Sequence, residues 1–368
     1  MDVTQPFKLL IKPRRPMDAL EHPTPQSKKK VWRYLLILVV LGLAVNILLP
    51  RIGNLQNAMK IVESMTWWAV LLAILAEVGC YIGYGYTLAS IMAINNRILG
   101  VMKGALIALA SASIGLVAGG WVGASATTFG FMRKNGADRS TATMAGVLPS
   151  ILLNGVIEAV AIVGIIVLFM MRKLSQSNLI EYIVFLVILT TFSFSGLIAL
   201  YFPKTTFNVV NWVLWHWARL KKKLYDPEKT YDLVTNFIDS WKALGKGRWK
   251  KPLLGAAVYI IVDMLCLYFF FVAAGYQVNP GVLFAGYGIP YLIAKIAFLF
   301  PGGIGVIEAS MAAIFNSLGV PGEVSAVVII GYRLTSFWMP MILGFPASGI
   351  LTRMAKNEPI SGQFGSAD

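Results

Sequence analysis

Long apolar runs separated by short polar stretches dominate this chain. They cover Val31–Pro50, Trp67–Ala93, Ile98–Ala118, Ser140–Met171, Leu179–Phe202, Pro252–Gly275, Val282–Phe300 and Val324–Leu351. A bilayer core of about 30 Å takes roughly 20 apolar residues in a helix, so the pattern predicts an all-α polytopic membrane protein. Two shorter apolar pieces, Trp121–Met132 and Ile304–Phe315, follow the glycine pairs Gly119-Gly120 and Gly302-Gly303. At about 18 Å of helix, neither crosses alone. Each is read as the second arm of a glycine-broken re-entrant hairpin, opened by Ile98–Ala118 or by Val282–Phe300.

A shift of 183 residues superposes the two breaks. Gly119-Gly120 falls on Gly302-Gly303, and Asn135-Gly136-Ala137 falls on Leu318-Gly319-Val320. The runs flanking the breaks follow the same offset, which defines two units, about 67–171 and 250–354. Each contains a span, a hairpin and a long final span. A unit makes two net crossings and Leu179–Phe202 adds a third, so the second unit is expected to be inverted. Inverted repeats with broken helices are a recurring transporter plan, with the substrate site between the repeats near mid-membrane.

Composition agrees: 57% of residues are hydrophobic, 13% are charged, and the mean hydropathy is +0.70. The net charge of +15 is concentrated in four places: Met1–Arg33, Phe202–Lys251, the ends of the first hairpin and the C-terminal tail. Those places hold 26 of the basic residues, against 4 in the remaining loops. The positive-inside rule therefore puts them, and both termini, in the cytoplasm; the expected location is a bacterial inner membrane. The excess charge reports orientation and anionic-lipid contact, and no nucleic-acid partner is expected. The expected layout is a basic tail over 1–30, a transmembrane domain over 31–354 with a cytoplasmic connector over about 203–251, and a tail over 355–368. Met1–Arg33 does not read as a cleavable signal, because some 30 polar residues precede the first apolar run. In the connector, Phe207–Leu220 carries Trp212, Trp215 and Trp217 beside Lys221–Lys223, as suits a helix at headgroup level.

Catalytic signatures are sparse. His22 and His216 are the two histidines, and no zinc-protease, nucleotide-loop, paired-cysteine or nucleophile-elbow motif occurs. No cofactor, metal or enzymatic activity is expected; Cys80 and Cys266 read as small core residues. The polar exceptions inside apolar runs are Glu77, Glu158, Asp263, Lys295, Glu308 and Arg333. The stretch Phe300-Pro-Gly-Gly-Ile-Gly-Val-Ile-Glu-Ala-Ser310 breaks a helix where hydrocarbon should be. A half-helix beginning near Gly305 would aim free amides at mid-membrane, an arrangement that suits an anion. Lys295, Gly302, Gly303, Gly305, Glu308 and Arg333 are the candidate substrate-binding set. The bland alternative is a Glu308–Arg333 ion pair that only fixes packing. Glu77, Glu158 and Asp263 stand open between packing and function, while Gly79, Gly83 and Gly85 suggest close helix approach.

Pro301-Gly-Gly-Ile-Gly-Val-Ile-Glu308, Leu318-Gly-Val-Pro321, Tyr332-Arg333-Leu334, Trp338-Met-Pro340 and Gly344 together resemble the C-terminal signature of the lysylphosphatidylglycerol synthase transmembrane-region family. That family includes the flippase domain of the multiple peptide resistance factor and stand-alone flippase-like proteins. The resemblance spans roughly residues 31–354, with its specific motifs in 300–344. It implies translocation of an anionic or polar-headed lipid, with membrane lipids as partners. No soluble aminoacyltransferase domain follows the last span, so lipid aminoacylation is not expected. In the first unit Ser125 aligns with Glu308 and Ser150 with Arg333, which concentrates polar chemistry in the second. The alternative is a non-transporting membrane partner of a lipid- or glycan-modifying enzyme.

Overall fold

A computed structural model of the chain describes residues 55–171, 187, 203–220, 235, 247–296 and 303–357. The tails, the run Val31–Pro50 and, apart from Val187, the run Leu179–Phe202 lie outside the described residues, as do Lys221–Lys223. The elements are α1 (Leu55–Glu63), α2 (Trp67–Ile94), α3 (Val101–Ala118), α4 (Trp121–Lys134), α5 (Arg139–Met170), α6 (Pro203–Leu220), α7 (Lys250–Ala273), α8 (Pro280–Ile296), α9 (Val306–Ser317) and α10 (Gly322–Arg333). A π-helical turn (Leu334–Trp338) then leads into α11 (Met339–Asn357). Among the described residues there are no strands, and five helical stretches are long and apolar enough to cross a membrane: α2, α3, α5, α7 and the composite Gly322–Met354.

The composite agrees with the expectation that Val324–Leu351 is a single span, and adds a π-helical turn inside it. Pro340 has no amide hydrogen for the carbonyl of Ser336, and the chain takes a wider turn just before it. α6 supports the interfacial reading of its segment, with Trp212 and Trp215 exposed and the Arg219 guanidinium 5.4 Å from the centre of the Trp215 ring.

Local chemistry sets the helix ends. Asp138 caps α5 by accepting from the Ser140 and Thr141 amides. Partial burial works against its ionisation, but hydrogen bonds from Thr141 and Asn95 prevail and hold its carboxyl below the usual range. α3 stops at Gly119, and Gly119 and Gly120 take φ of +108° and +68°, backbone that residues with a Cβ rarely adopt. α4 then packs back along α3, and α9 packs back along α8.

The offset of 183 persists in the backbone. α4 ends at Lys134 and α9 at Ser317; α5 begins at Arg139 and α10 at Gly322. Gly136 and Gly319 share left-handed φ values of +82° and +90°. The Ala137 amide donates to Met132 just as that of Val320 donates to Phe315. Packing is reciprocal as well: α5 lies on α8, α11 lies on α3, and α2 crosses α7 at the centre.

In lipid the attraction between helices is van der Waals packing rather than burial from water, so close approach matters. A Cβ on Gly83 would sit 2.9 Å from the Tyr259 amide nitrogen, and one on Gly255 would sit 2.7 Å from the Gly83 carbonyl oxygen. Gly164 and Gly288 bring α5 and α8 together in the same way, and Gly344 brings α11 onto α3. The buried apolar residues form two cores: Phe271, Phe315, Tyr287 and Tyr332 belong to one, and Leu88, Ile107, Met132 and Leu148 to the other.

Gly85→Ala is expected to destabilise the protein by about 1–3 kcal/mol through overpacking, because its Cβ would lie 2.2 Å from the Val101 carbonyl oxygen. Gly100→Ala, with nothing within 4 Å, should be neutral. Thermal unfolding in detergent checks both; a wild-type midpoint for Gly85→Ala would contradict this account of the α2–α3 approach.

Candidate functional site

The site begins where α9 starts inside the fold. Gly303 and Gly305 take φ of +65° and +83°, which turns the chain sharply into the helix and leaves its first amides without intrahelical acceptors. Glu308, one turn in, reaches back so that its Oε2 accepts from the Gly305 amide at 2.7 Å. Its Oε1 accepts from Arg333 Nε at 2.6 Å. Both residues are 4% exposed. Arg333 closes α10, and the π-helical turn carries Phe337 under its guanidinium, 4.4 Å from the ring centre. One carboxylate therefore bridges a helix N-terminus and a buried cation.

A second polar layer adjoins the first through the neighbouring residue Tyr332. Asp263 on α7 accepts at Oδ2 from the Tyr287 hydroxyl at 2.6 Å and from the Tyr332 hydroxyl at 2.8 Å. The Tyr291 and Tyr332 hydroxyls are 2.6 Å apart and hydrogen-bonded. Glu77 on α2 faces this layer, and donor atoms of Glu77, Cys80 and Asp263 all lie within 4.8 Å of one another. By spacing alone, this trio is the one group among the described residues that could take a metal ion. It offers three ligands, one of them on a carboxylate already engaged by two phenols.

The first half carries a different feature at the corresponding place. A cavity of about 110 Å³ is lined by the hydroxyl-bearing residues Ser111, Ser125, Thr128 and Ser150 and by the rings of Tyr81, Tyr84 and Tyr259. Trp121 Nε1–H donates to Ser150 Oγ at 2.6 Å. Ser125 and Ser150, which align with Glu308 and Arg333, thus converge on one space just as Glu308 and Arg333 converge on each other.

Of the sequence-predicted residues, Glu308, Arg333, Gly303 and Gly305 come together. Gly302 lies outside the described residues. Lys295 belongs to the last turn of α8, with its side chain outside the described set. Glu158 is buried in α5. The tyrosines were missed. Tyr287 and Tyr291 sit one turn apart on α8, and Tyr332 precedes Arg333, so an aromatic hydroxyl stripe facing Asp263 was the available signal.

Comparison with known proteins places these features in context. A family model described as the lysylphosphatidylglycerol synthase TM region matches residues 28–344. A UPF0104 membrane protein of Pyrococcus horikoshii is 23% identical over 84% of this chain and 94% of its own length. One of Methanocaldococcus jannaschii is 28% identical over 35% of this chain, and one of Methanothermobacter thermautotrophicus is 33% identical over 23%. Those two alignments span 39% and 25% of the relatives.

Removing one partner of a buried ion pair strands the other charge, at a cost of about 3–5 kcal/mol. Arg333→Met alone should therefore lower stability by that order, and adding Glu308→Gln should restore most of it. Chemical unfolding of the purified variants reads the difference; a double variant no more stable than the single one would contradict mutual neutralisation.

Proposed function

The chain belongs to the lysylphosphatidylglycerol synthase transmembrane-region family, and from that premise we propose that it is a lipid transporter of the inner membrane. Its cargo would be an anionic or polar-headed lipid whose headgroup crosses between two inverted repeats while its tails stay in the bilayer. One observation carries this reading: the Glu308 carboxylate bridging Arg333 and the Gly305 amide. A guanidinium and a helix-start amide without an intrahelical acceptor together form a phosphate-binding arrangement. In this conformation Glu308 supplies the anion. An incoming phosphate would displace the carboxylate and take over the same donors.

The shared helix boundaries at an offset of 183, and the reciprocal seating of α5 on α8 and α11 on α3, support the inverted-repeat arrangement. In it, the first hairpin opens to the cytoplasm and the second to the outside, with both termini inside. The work is transport rather than catalysis in this reading, with the Arg333–Glu308 pair as a charge-compensated binding locus.

Headgroup-labelled anionic phospholipid in proteoliposomes tests this reading. A hydrogen bond to a charged group is worth about 1.5–3 kcal/mol, so Arg333→Gln should slow translocation by about tenfold or more. Glu308→Gln, which removes the competing anion, should be no slower than wild type. Equal slowing in both variants would mark the pair as packing alone, and undiminished translocation by Arg333→Gln would contradict the assignment.

A further inference from the structure

Glu77 and Asp263 pose an electrostatic problem that the headgroup site does not use. They project from α2 and α7 at the central crossing, are 2% and 5% exposed, and bring donor atoms within 4.8 Å of each other. Asp263 Oδ2 is satisfied by two phenolic donors, but Asp263 Oδ1 and Glu77 Oε2 are buried with no hydrogen-bond partner. Two adjacent carboxylates in a dry interior do not both stay ionised without a compensating positive charge. Arg333, the cation of the described interior, lies on α10 with its guanidinium held by Glu308.

We propose that Glu77 and Asp263 hold one proton between them, and that this site is where the transmembrane proton gradient acts on the protein. The first part stands on geometry; the second rests on the transport reading above. A proton on either carboxyl leaves the pair with a single negative charge. Tyr287 and Tyr332 then stabilise that charge. The occupant is a proton rather than a metal ion, because among the described residues the group offers three ligand atoms, one from each of Glu77, Cys80 and Asp263, fewer than the four or more that a resident ion takes. Loading is a plain transfer: hydronium gives its proton to one carboxylate oxygen and leaves as water, and on release water takes the proton back.

The surroundings supply a path and a link. On α2, Tyr81 lies one turn from Glu77, and on α7, Tyr259 lies one turn from Asp263. Their rings meet edge to face at 6.3 Å and line the polar cavity, so the residues one turn from each carboxylate border a hydroxyl-lined space. Cys80 and Cys266 flank the pair on the same two helices, and α5 contributes Glu158 as its buried acid. On the opposite side, α8 presents Tyr287 and Tyr291. From α10 comes Tyr332, whose neighbour Arg333 holds Glu308 of α9. Protonation at Asp263 weakens its hold on Tyr332, and Tyr332 is covalently next to the headgroup cation. That adjacency ties loading of the proton to the state of the Arg333–Glu308 pair.

Infrared difference spectroscopy of the full-length protein in nanodiscs, titrated across neutral pH, reads the site without any transported lipid. The expected result is a protonated-carboxyl carbonyl band in wild type that is lost in both Glu77→Gln and Asp263→Asn, whose side chains are near-isosteric. No such band, or a band unchanged in both variants, overturns the shared proton. Stoichiometric bound metal in the purified protein, lost in Glu77→Gln, overturns it too. In proteoliposomes an imposed pH gradient should change the rate of headgroup-labelled lipid movement in wild type and lose its effect in Glu77→Gln. If the infrared result holds and the gradient has no effect on wild type, the coupling is wrong while the proton site stands. If wild type moves no lipid at all, the transport reading fails and takes the coupling with it.

Discussion

A helix that starts inside a packed fold leaves several amides with no water to accept them, and a guanidinium buried in the same place has no solvent to shield it. Here one side chain resolves both. Glu308 takes the Gly305 amide on one oxygen and Arg333 on the other. Much of the second half is arranged around that contact. The left-handed glycines put α9's first turn there, the π-helical turn places Phe337 beneath Arg333, and Tyr332 carries the polar layer on to Asp263.

The two halves share a backbone plan and differ in what fills it. Helix boundaries, capping glycines and even individual turn hydrogen bonds recur at a constant offset. Where the second half places a carboxylate and a guanidinium, the first places Ser125 and Ser150 around a cavity. One side is closed by charge, the other open and hydroxyl-lined. The carboxylates of Glu77 and Asp263 lie between them at the crossing of α2 and α7.

Much of the framework was legible in the residue pattern. Apolar run lengths gave α2, α3, α5 and α7 to within a few residues, and the glycine pairs marked where α3 ends and where α9 turns in. The Glu308–Arg333 pair was legible as the packing alternative to a binding site, because few partners exist for a buried charge. The π-helical turn was not, since a hydropathy run shows no register and the effect of Pro340 depends on the local carbonyls. The tyrosine cluster escaped for a related reason: in an aromatic-rich apolar helix, a phenol that packs and a phenol that donates look alike until their partner's position is known. The cavity has no sequence signal of its own, because small residues mark close packing as readily as space.

The central claim is that the Arg333–Glu308–Gly305 bridge opens to admit an anionic headgroup. The most direct measurement is cryo-electron microscopy of the protein in nanodiscs of anionic phospholipid. The account predicts, in at least one particle class, headgroup phosphate density within hydrogen-bond distance of Arg333 and the Gly305 amide, with the Glu308 carboxylate displaced. An intact Glu308–Arg333 bridge in every class, with only acyl chains approaching α9, would contradict it.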